Sequence, residues 1–88
     1  MIPPELDVLD QLQGRDMPLA VMAGIFPDAA RAKRSIGAMI RAGEVVLLDN
    51  SGAVVADWRW DEIEREPAAW LAASEFLLRL TDIGAKRA

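Results

Sequence analysis

The sequence changes character at Gly43, and this change limits the folds open to the chain. Before it, residues 28–42 carry apolar side chains at the spacing of an amphipathic helix, with Asp28 placed to accept backbone N–H bonds as an N-cap. After it, EVVLLD and AVVADW are β-branched or apolar runs separated by Asn50-Ser51-Gly52, a sequence typical of a hairpin turn. We therefore predict a helix closed by Gly43 and followed directly by an antiparallel hairpin over residues 44–60.

Helical patterns also flank this central unit. A first helix is predicted to begin at Pro4 and to end at Gly14, because proline suits a first helical turn and glycine ends one. A short, largely buried second helix is predicted to begin at Pro18 and to be cut by Gly24 and Pro27. The run that follows Pro67 favours a closing helix over residues 68–83.

Composition excludes several classes of function. The 88-residue chain is long enough for one small domain, and it has no cysteine and no histidine. It therefore lacks thiolate ligands, disulfides and the most common general base, and we expect no enzyme, no metal site and no cofactor. No apolar run reaches the roughly 20 residues of a membrane span, and the N-terminus does not resemble a signal peptide. We expect a cytoplasmic protein.

The order helix, short helix, turn, helix, hairpin resembles the winged helix-turn-helix superfamily of bacterial transcriptional regulators. The resemblance covers about residues 4–60 and is most specific in IGAMIRAGEVVLLDNSGAVV, which is similar to the end of a recognition helix, its closing glycine and the wing. It implies a mainly α fold with a small β-hairpin (α+β): three helices, a two-stranded wing and a C-terminal helix. Residues 1–60 would form the winged helix-turn-helix domain, and residues 61–88 a helical extension within one compact unit.

A local basic face occurs within an acidic chain. Residues 28–43 hold four basic residues and one acidic residue, although the net charge of the whole chain is −4. On a helical wheel the three arginines share the arc opposite the apolar stripe, separated by alanines that would let the helix backbone approach a major groove. We predict double-stranded DNA as the partner and a role in transcription regulation. The predicted DNA-contacting residues are Arg31, Lys33, Arg34, Arg41, Asn50 and Ser51.

Two alternative interpretations remain open. Basic residues are common on exposed helix faces and also complement the helix dipole at its C-terminus. The predicted wing tip has no cation and residues 57–66 are strongly acidic, whereas a winged-helix protein usually offers arginine or lysine to DNA there. A winged helix that binds a basic protein through residues 57–66, including an inhibitor that mimics nucleic acid, is therefore the alternative function. A small-molecule sensor with a tryptophan-lined surface is the third.

The remaining clusters have structural interpretations. The acidic run at 61–66 is typical of a solvated helix start, since acidic residues favour the N-terminal end of the helix dipole. Period two would place Trp58 and Trp60 on one face of the second hairpin strand, where they pack on the core or on a partner.

The closing helix predicts a homodimer. Its apolar residues form two strips separated by Ser74 and Thr81, and only one strip can pack on the chain's own core. Many winged-helix regulators dimerise through a terminal helix. The predicted dimer-interface residues are Trp70, Leu71, Phe76, Leu77 and Leu78.

Overall fold

The fold, given by a computed structural model that describes residues 2–87, is α+β. The helices of this described part are α1 (Pro4–Gln11), α2 (Leu19–Ala23), α3 (Ala29–Arg41), α4 (Trp60–Arg65), α5 (Pro67–Ala73) and α6 (Asp82–Arg87). The strands are β1 (Met17–Pro18), β2 (Val45–Leu48), β3 (Val54–Val55) and β4 (Leu77–Leu80). All strand pairs are antiparallel, and the sheet order is β1-β4-β2-β3.

The first three helices form where the sequence predicts them. The Asp28 side chain caps α3 by accepting the Arg31 backbone N–H at 2.7 Å. Gly43 has a φ of 77°, a left-handed conformation that glycine adopts without strain and that ends the helix. The apolar stripe of α3 is buried, with Ile36 at 0% and Met39 at 2% exposure. No helix among residues 2–87 is long and apolar enough to cross a membrane.

The predicted hairpin is present but shorter than expected. β2 pairs with β3 at Leu47–Val55 and Leu48–Val54, and the chain turns between them at Asp49–Gly52. The second strand ends at Val55, and a single turn of 3-10 helix at Asp57–Arg59 leads into α4.

The prediction that Trp58 and Trp60 share one strand face is therefore wrong. The chain is helical at both positions, so the two side chains point in different directions. Trp58 is 70% exposed, whereas Trp60 is 1% exposed within the core.

The prediction of one closing helix over residues 68–83 is also wrong. α5 ends at Ala73, and Leu77–Leu80 forms β4, which pairs with β2 on one side and β1 on the other. Hydrogen bonding to two neighbouring strands stabilises the extended conformation of this apolar run, which has no decisive local preference. The expected fold of three helices, a two-stranded wing and one C-terminal helix thus differs from the structure, in which β4 is an inner strand of a four-stranded sheet.

The last helix, α6, is anchored to the residue that precedes β2. The Thr81 hydroxyl lies 2.9 Å from the Glu44 carbonyl oxygen, and Gly84 packs closely against the same carbonyl group. The Arg87 guanidinium bonds the Glu44 carboxylate, with 2.7 Å between Nη1 and Oε1. These contacts tie the C-terminal segment to the residue that joins α3 to β2.

Candidate nucleic-acid interface

Helix α3 has one face buried in the core and the opposite face exposed to solvent. Because the apolar stripe of α3 is buried, the opposite side chains project into solvent. These exposed residues are Ala30, Arg31, Arg34, Ala38 and Arg41. We call them the α3 face. The structure thus brings the three predicted arginines together on one exposed helix surface.

At the N-terminal end of the α3 face, Arg31 is paired with α1. Its Nη2 donates to Glu5 Oε1 at 3.1 Å, and its Nε donates to Ser35 Oγ at 3.2 Å. Partial burial raises the pKa of the Glu5 carboxyl, but the backbone N–H of Glu5 and the Arg31 guanidinium outweigh burial and hold that pKa below its ordinary value. The Arg31 side chain is still 46% exposed.

At the C-terminal end, Arg41 is paired with α4. Its Nη2 donates to Asp61 Oδ1 at 2.5 Å, and both side chains are substantially exposed, at 49% and 62%. Arg34 lies between the two paired arginines and makes no side-chain hydrogen bond or ion pair within residues 2–87. Arg34 is therefore the α3 arginine best placed to meet a ligand without first leaving a partner.

The flank of α3 that carries Lys33 is covered by α4 and α5. The Trp60 indole N–H donates to the Lys33 carbonyl oxygen at 3.0 Å, and the ring packs against Gly37. The Lys33 ammonium lies 5.1 Å from the centroid of the Trp70 ring, which makes a cation–π contact. Trp60 and Trp70 in turn pack edge to face with centroids 6.1 Å apart. Lys33 consequently lies beside the α3 face, and its side chain is directed to an aromatic ring.

The predicted wing-tip residues, Asn50 and Ser51, are exposed but lie beside a carboxylate. Asp49 Oδ1 accepts the Ser51 backbone N–H at 2.8 Å, the Ser51 hydroxyl at 2.6 Å and the Ala53 N–H at 3.1 Å. The Ser51 hydroxyl, followed by the two backbone N–H groups, holds the pKa of Asp49 below its ordinary value. The turn is thus ordered around a negative charge, which disfavours contact with phosphate.

The residues predicted to form a dimer interface do not share one surface. Leu78 is fully buried in the core, and Trp70, Phe76 and Leu77 are half-buried. Leu71 on α5 is 73% exposed. The two predicted apolar strips require one continuous helix over residues 68–83, and β4 interrupts that segment.

Sequence reasoning missed the carboxylates that pair with the arginines. Glu5 and Asp61 stand 26 and 20 residues away from Arg31 and Arg41, so no local spacing marks either pair. Asp16 was missed for the same reason: it receives two hydrogen bonds from Arg79 of β4, at 3.1 and 2.8 Å. The bond from Arg79 holds the pKa of Asp16 below its ordinary value.

The acidic run at 61–66 lies in α4 except for Glu66, which caps its C-terminus, and Asp61 and Glu62 are in the first turn. Among residues 2–87, no cluster of acidic side chains has a geometry that could hold a metal ion. No family model, curated protein or solved structure matches this chain.

Proposed function

We propose that this chain is a winged helix-turn-helix protein that binds double-stranded DNA through the α3 face and regulates transcription. The observation that carries the proposal is the exposure of Arg31, Arg34 and Arg41 on one helix face, with only short side chains between them. Arginine is the side chain that pairs bidentately with guanine or phosphate, and a helix with small intervening residues fits a major groove about 12 Å wide.

The strand order supports the winged-helix arrangement. An antiparallel strand pair follows α3 directly, as the proposal requires: β2 pairs with β4 over four residues, and β4 pairs in turn with β1, which precedes α2. We therefore assign β2 and β4 as the wing strands, with residues 49–76 as an enlarged wing loop. This assignment moves the second wing strand from the position predicted by sequence, within 53–58, to Leu77–Leu80.

The ion pairs of Arg31 and Arg41 are compatible with DNA binding. The Arg41–Asp61 pair is exposed on both sides and contributes roughly 0 to 1 kcal/mol, so a phosphate group can replace Asp61 at little cost. The Glu5 side chain is only 20% exposed, so exchange at Arg31 leaves a partly buried carboxylate and costs more. Arg34 needs no such exchange. We assign Arg34 to base contact and the two outer arginines to phosphate contact, while Lys33 and the turn at Asn50–Ser51 lie at the margin of the interface. The proposal includes a cytoplasmic location and assigns no catalytic step and no cofactor.

Fluorescence anisotropy with a pool of random duplex DNA at low salt tests this function. Neutralisation of about three phosphates per protomer gives a slope of roughly −3 for log affinity against log salt. Arg34→Ala should then cost about 1–3 kcal/mol at a preferred site and relax specificity there. Arg15→Ala, which removes the same charge at the end of α1, serves as the control and should have a smaller effect. Absence of binding at tens of micromolar protein would contradict the proposal.

A second candidate function is supported by the charge of the enlarged wing loop. Residues 57–75 hold six acidic and two basic residues, a net charge of −4 that equals the net charge of the chain. The same segment exposes Trp58 by 70% and Leu71 by 73%. Acidic residues around exposed apolar side chains suit a basic, amphipathic protein segment. This candidate is the acidic interaction module, in which residues 57–66 and the neighbouring α5 meet a basic partner.

A synthetic amphipathic helix of lysine and leucine is a direct probe for the second candidate. If the wing loop binds it, Glu62→Gln with Glu66→Gln should weaken binding at least severalfold. Asp7→Asn with Asp10→Asn removes the same charge from α1 and should have little effect. Equal weakening by both pairs would indicate attraction to net charge alone and would count against the module.

We also propose a homodimer whose interface includes the exposed side of α5. Leu71 is the one residue of the predicted interface that is exposed rather than buried or half-buried. Light scattering over a concentration series should show a dimer, and a strict monomer at high concentration would contradict the prediction.

A further inference from the structure

The two outer arginines of the α3 face are each held by a carboxylate from a different element. Glu5 on α1 accepts from Arg31 and Asp61 on α4 accepts from Arg41. The arginines stand ten residues apart, which corresponds to about 15 Å along the helix axis. Carboxylates of the chain itself therefore neutralise both ends of the α3 face, and within residues 2–87 only its middle presents an arginine without a carboxylate.

We propose that Glu5 and Asp61 are internal competitors of DNA phosphate, which set the affinity of the α3 face by occupying its outer guanidinium groups. This inference rests on the proposed DNA-binding function. A carboxylate and a phosphate present similar pairs of oxygens to guanidinium N–H donors, so the two cannot fully occupy the same donors at once. DNA binding then requires exchange of carboxylate for phosphate at Arg31 and at Arg41.

The position of Asp61 follows from the enlarged wing loop. Trp60 precedes it and fixes the start of α4 on α3, through the indole bond to the Lys33 carbonyl and the contact with Gly37. The next side chain is thereby held beside the last turn of α3, where it meets Arg41. In a simple winged helix the wing loop would project toward DNA. Here the wing loop packs against α3 and places the Asp61 carboxylate at the C-terminal end of that helix.

The following residue of the same helix provides a matched control. Glu62 is exposed, carries the same charge and lies one position from Asp61, but it lines a cleft of about 200 Å³ between α4 and α5. Substitution of either residue changes the net charge of the chain equally. Only substitution of Asp61 releases a guanidinium group of the α3 face.

The experiment compares DNA affinity of the full chain with those of Asp61→Asn, Glu5→Gln and Glu62→Gln, by anisotropy with random duplex DNA at 0.15 M salt. At this ionic strength the Debye length is about 8 Å, so interactions between exposed charges farther apart than this are largely screened. Release of the exposed Asp61 pair should raise affinity roughly two- to fivefold, and release of the Glu5 pair, in which the carboxylate is only 20% exposed, should raise it by at least as much. Because the two pairs lie at opposite ends of the helix, the double variant should combine the two factors, for a gain of at least about fourfold.

The possible results separate the two proposals. Tighter binding by Asp61→Asn and Glu5→Gln, with Glu62→Gln near the wild type, supports internal competition. Equal affinities for all four proteins would overturn the competition and leave the DNA-binding function standing. Failure of every protein to bind DNA would overturn both. Asp61→Asn breaks only an exposed pair, so it remains informative if Glu5→Gln unfolds the chain.

Discussion

Replacement of Gly37 by alanine tests the contact that holds the start of α4 against α3. A Cβ atom at this position would lie 2.4 Å from Trp60 Nε1 and 2.7 Å from Trp60 Cδ1. Both atoms belong to a rigid indole that is 1% exposed, so the ring must move as a unit. The substitution should therefore displace Trp60 and lengthen its 3.0 Å hydrogen bond to the Lys33 carbonyl.

The expected magnitude is a balance of three effects. Overpacking of a core costs about 1–3 kcal/mol, and loss of the indole hydrogen bond costs about 0.5–1.5 kcal/mol. Alanine in place of glycine within a helix gains about 1 kcal/mol. We expect Gly37→Ala to lower the free energy of unfolding by about 1–3 kcal/mol, which corresponds to a fall in Tm of roughly 4–24 °C for a domain of this size.

Urea denaturation followed by circular dichroism measures this change, and a double-mutant cycle identifies its cause. Phenylalanine at position 60 lacks the indole N–H and the five-membered ring. In a Trp60→Phe background the cost of Gly37→Ala should shrink by at least about 0.5 kcal/mol, since residues in contact are not additive. A Gly37→Ala protein as stable as the wild type, or a cost unchanged by Trp60→Phe, would refute the packing argument.

Three further predictions concern other contacts. Gly84→Ala should destabilise the chain by about 2–3 kcal/mol in urea denaturation, because the added Cβ would lie 2.1 Å from the Glu44 carbonyl oxygen. This oxygen is a backbone atom that no rotamer change can move, and wild-type stability would contradict the prediction. Asp28→Ala should cost about 1 kcal/mol by the same assay, because the α3 cap is lost, whereas Asp28→Asn should retain most of it. Since Arg79 lowers the pKa of folded Asp16 from 3.8, the pair stabilises the fold above that pH and loses its effect as pH falls below it. The stability difference between wild type and Asp16→Asn should accordingly diminish on acidification through this range, and a difference that grows would refute the linkage.

The sequence predicts the N-terminal half of the fold well because its signals are local. Asp28 and Gly43 mark the ends of α3 through their own backbone chemistry, and the apolar stripe identifies the buried side. The exposed arginine face follows from the same periodicity. None of these features depends on a residue far away in the chain.

The C-terminal half was predicted poorly because its structure depends on distant partners. The run Leu77–Leu80 has apolar spacing that suits a helix or a strand, and its pairing with β2 and β1 decides between them. The local sequence around Trp60 likewise predicts a strand residue. Its observed position at the start of a helix depends on packing of the indole against Gly37 of α3. The carboxylate partners of the arginines depend on the same tertiary arrangement, so they could not be predicted from spacing.

Backbone NMR of the uniformly ¹⁵N-labelled chain, titrated with a short duplex DNA at low salt, tests the central claim most directly. If the α3 face binds DNA, the amide shifts should be largest within residues 30–41, with Arg34 near their centre. Smaller shifts are expected at α1 and at the start of α4, where the competing carboxylates are released. Shifts confined to residues 57–75, or no shifts at millimolar duplex, would contradict the claim that this helix recognises DNA.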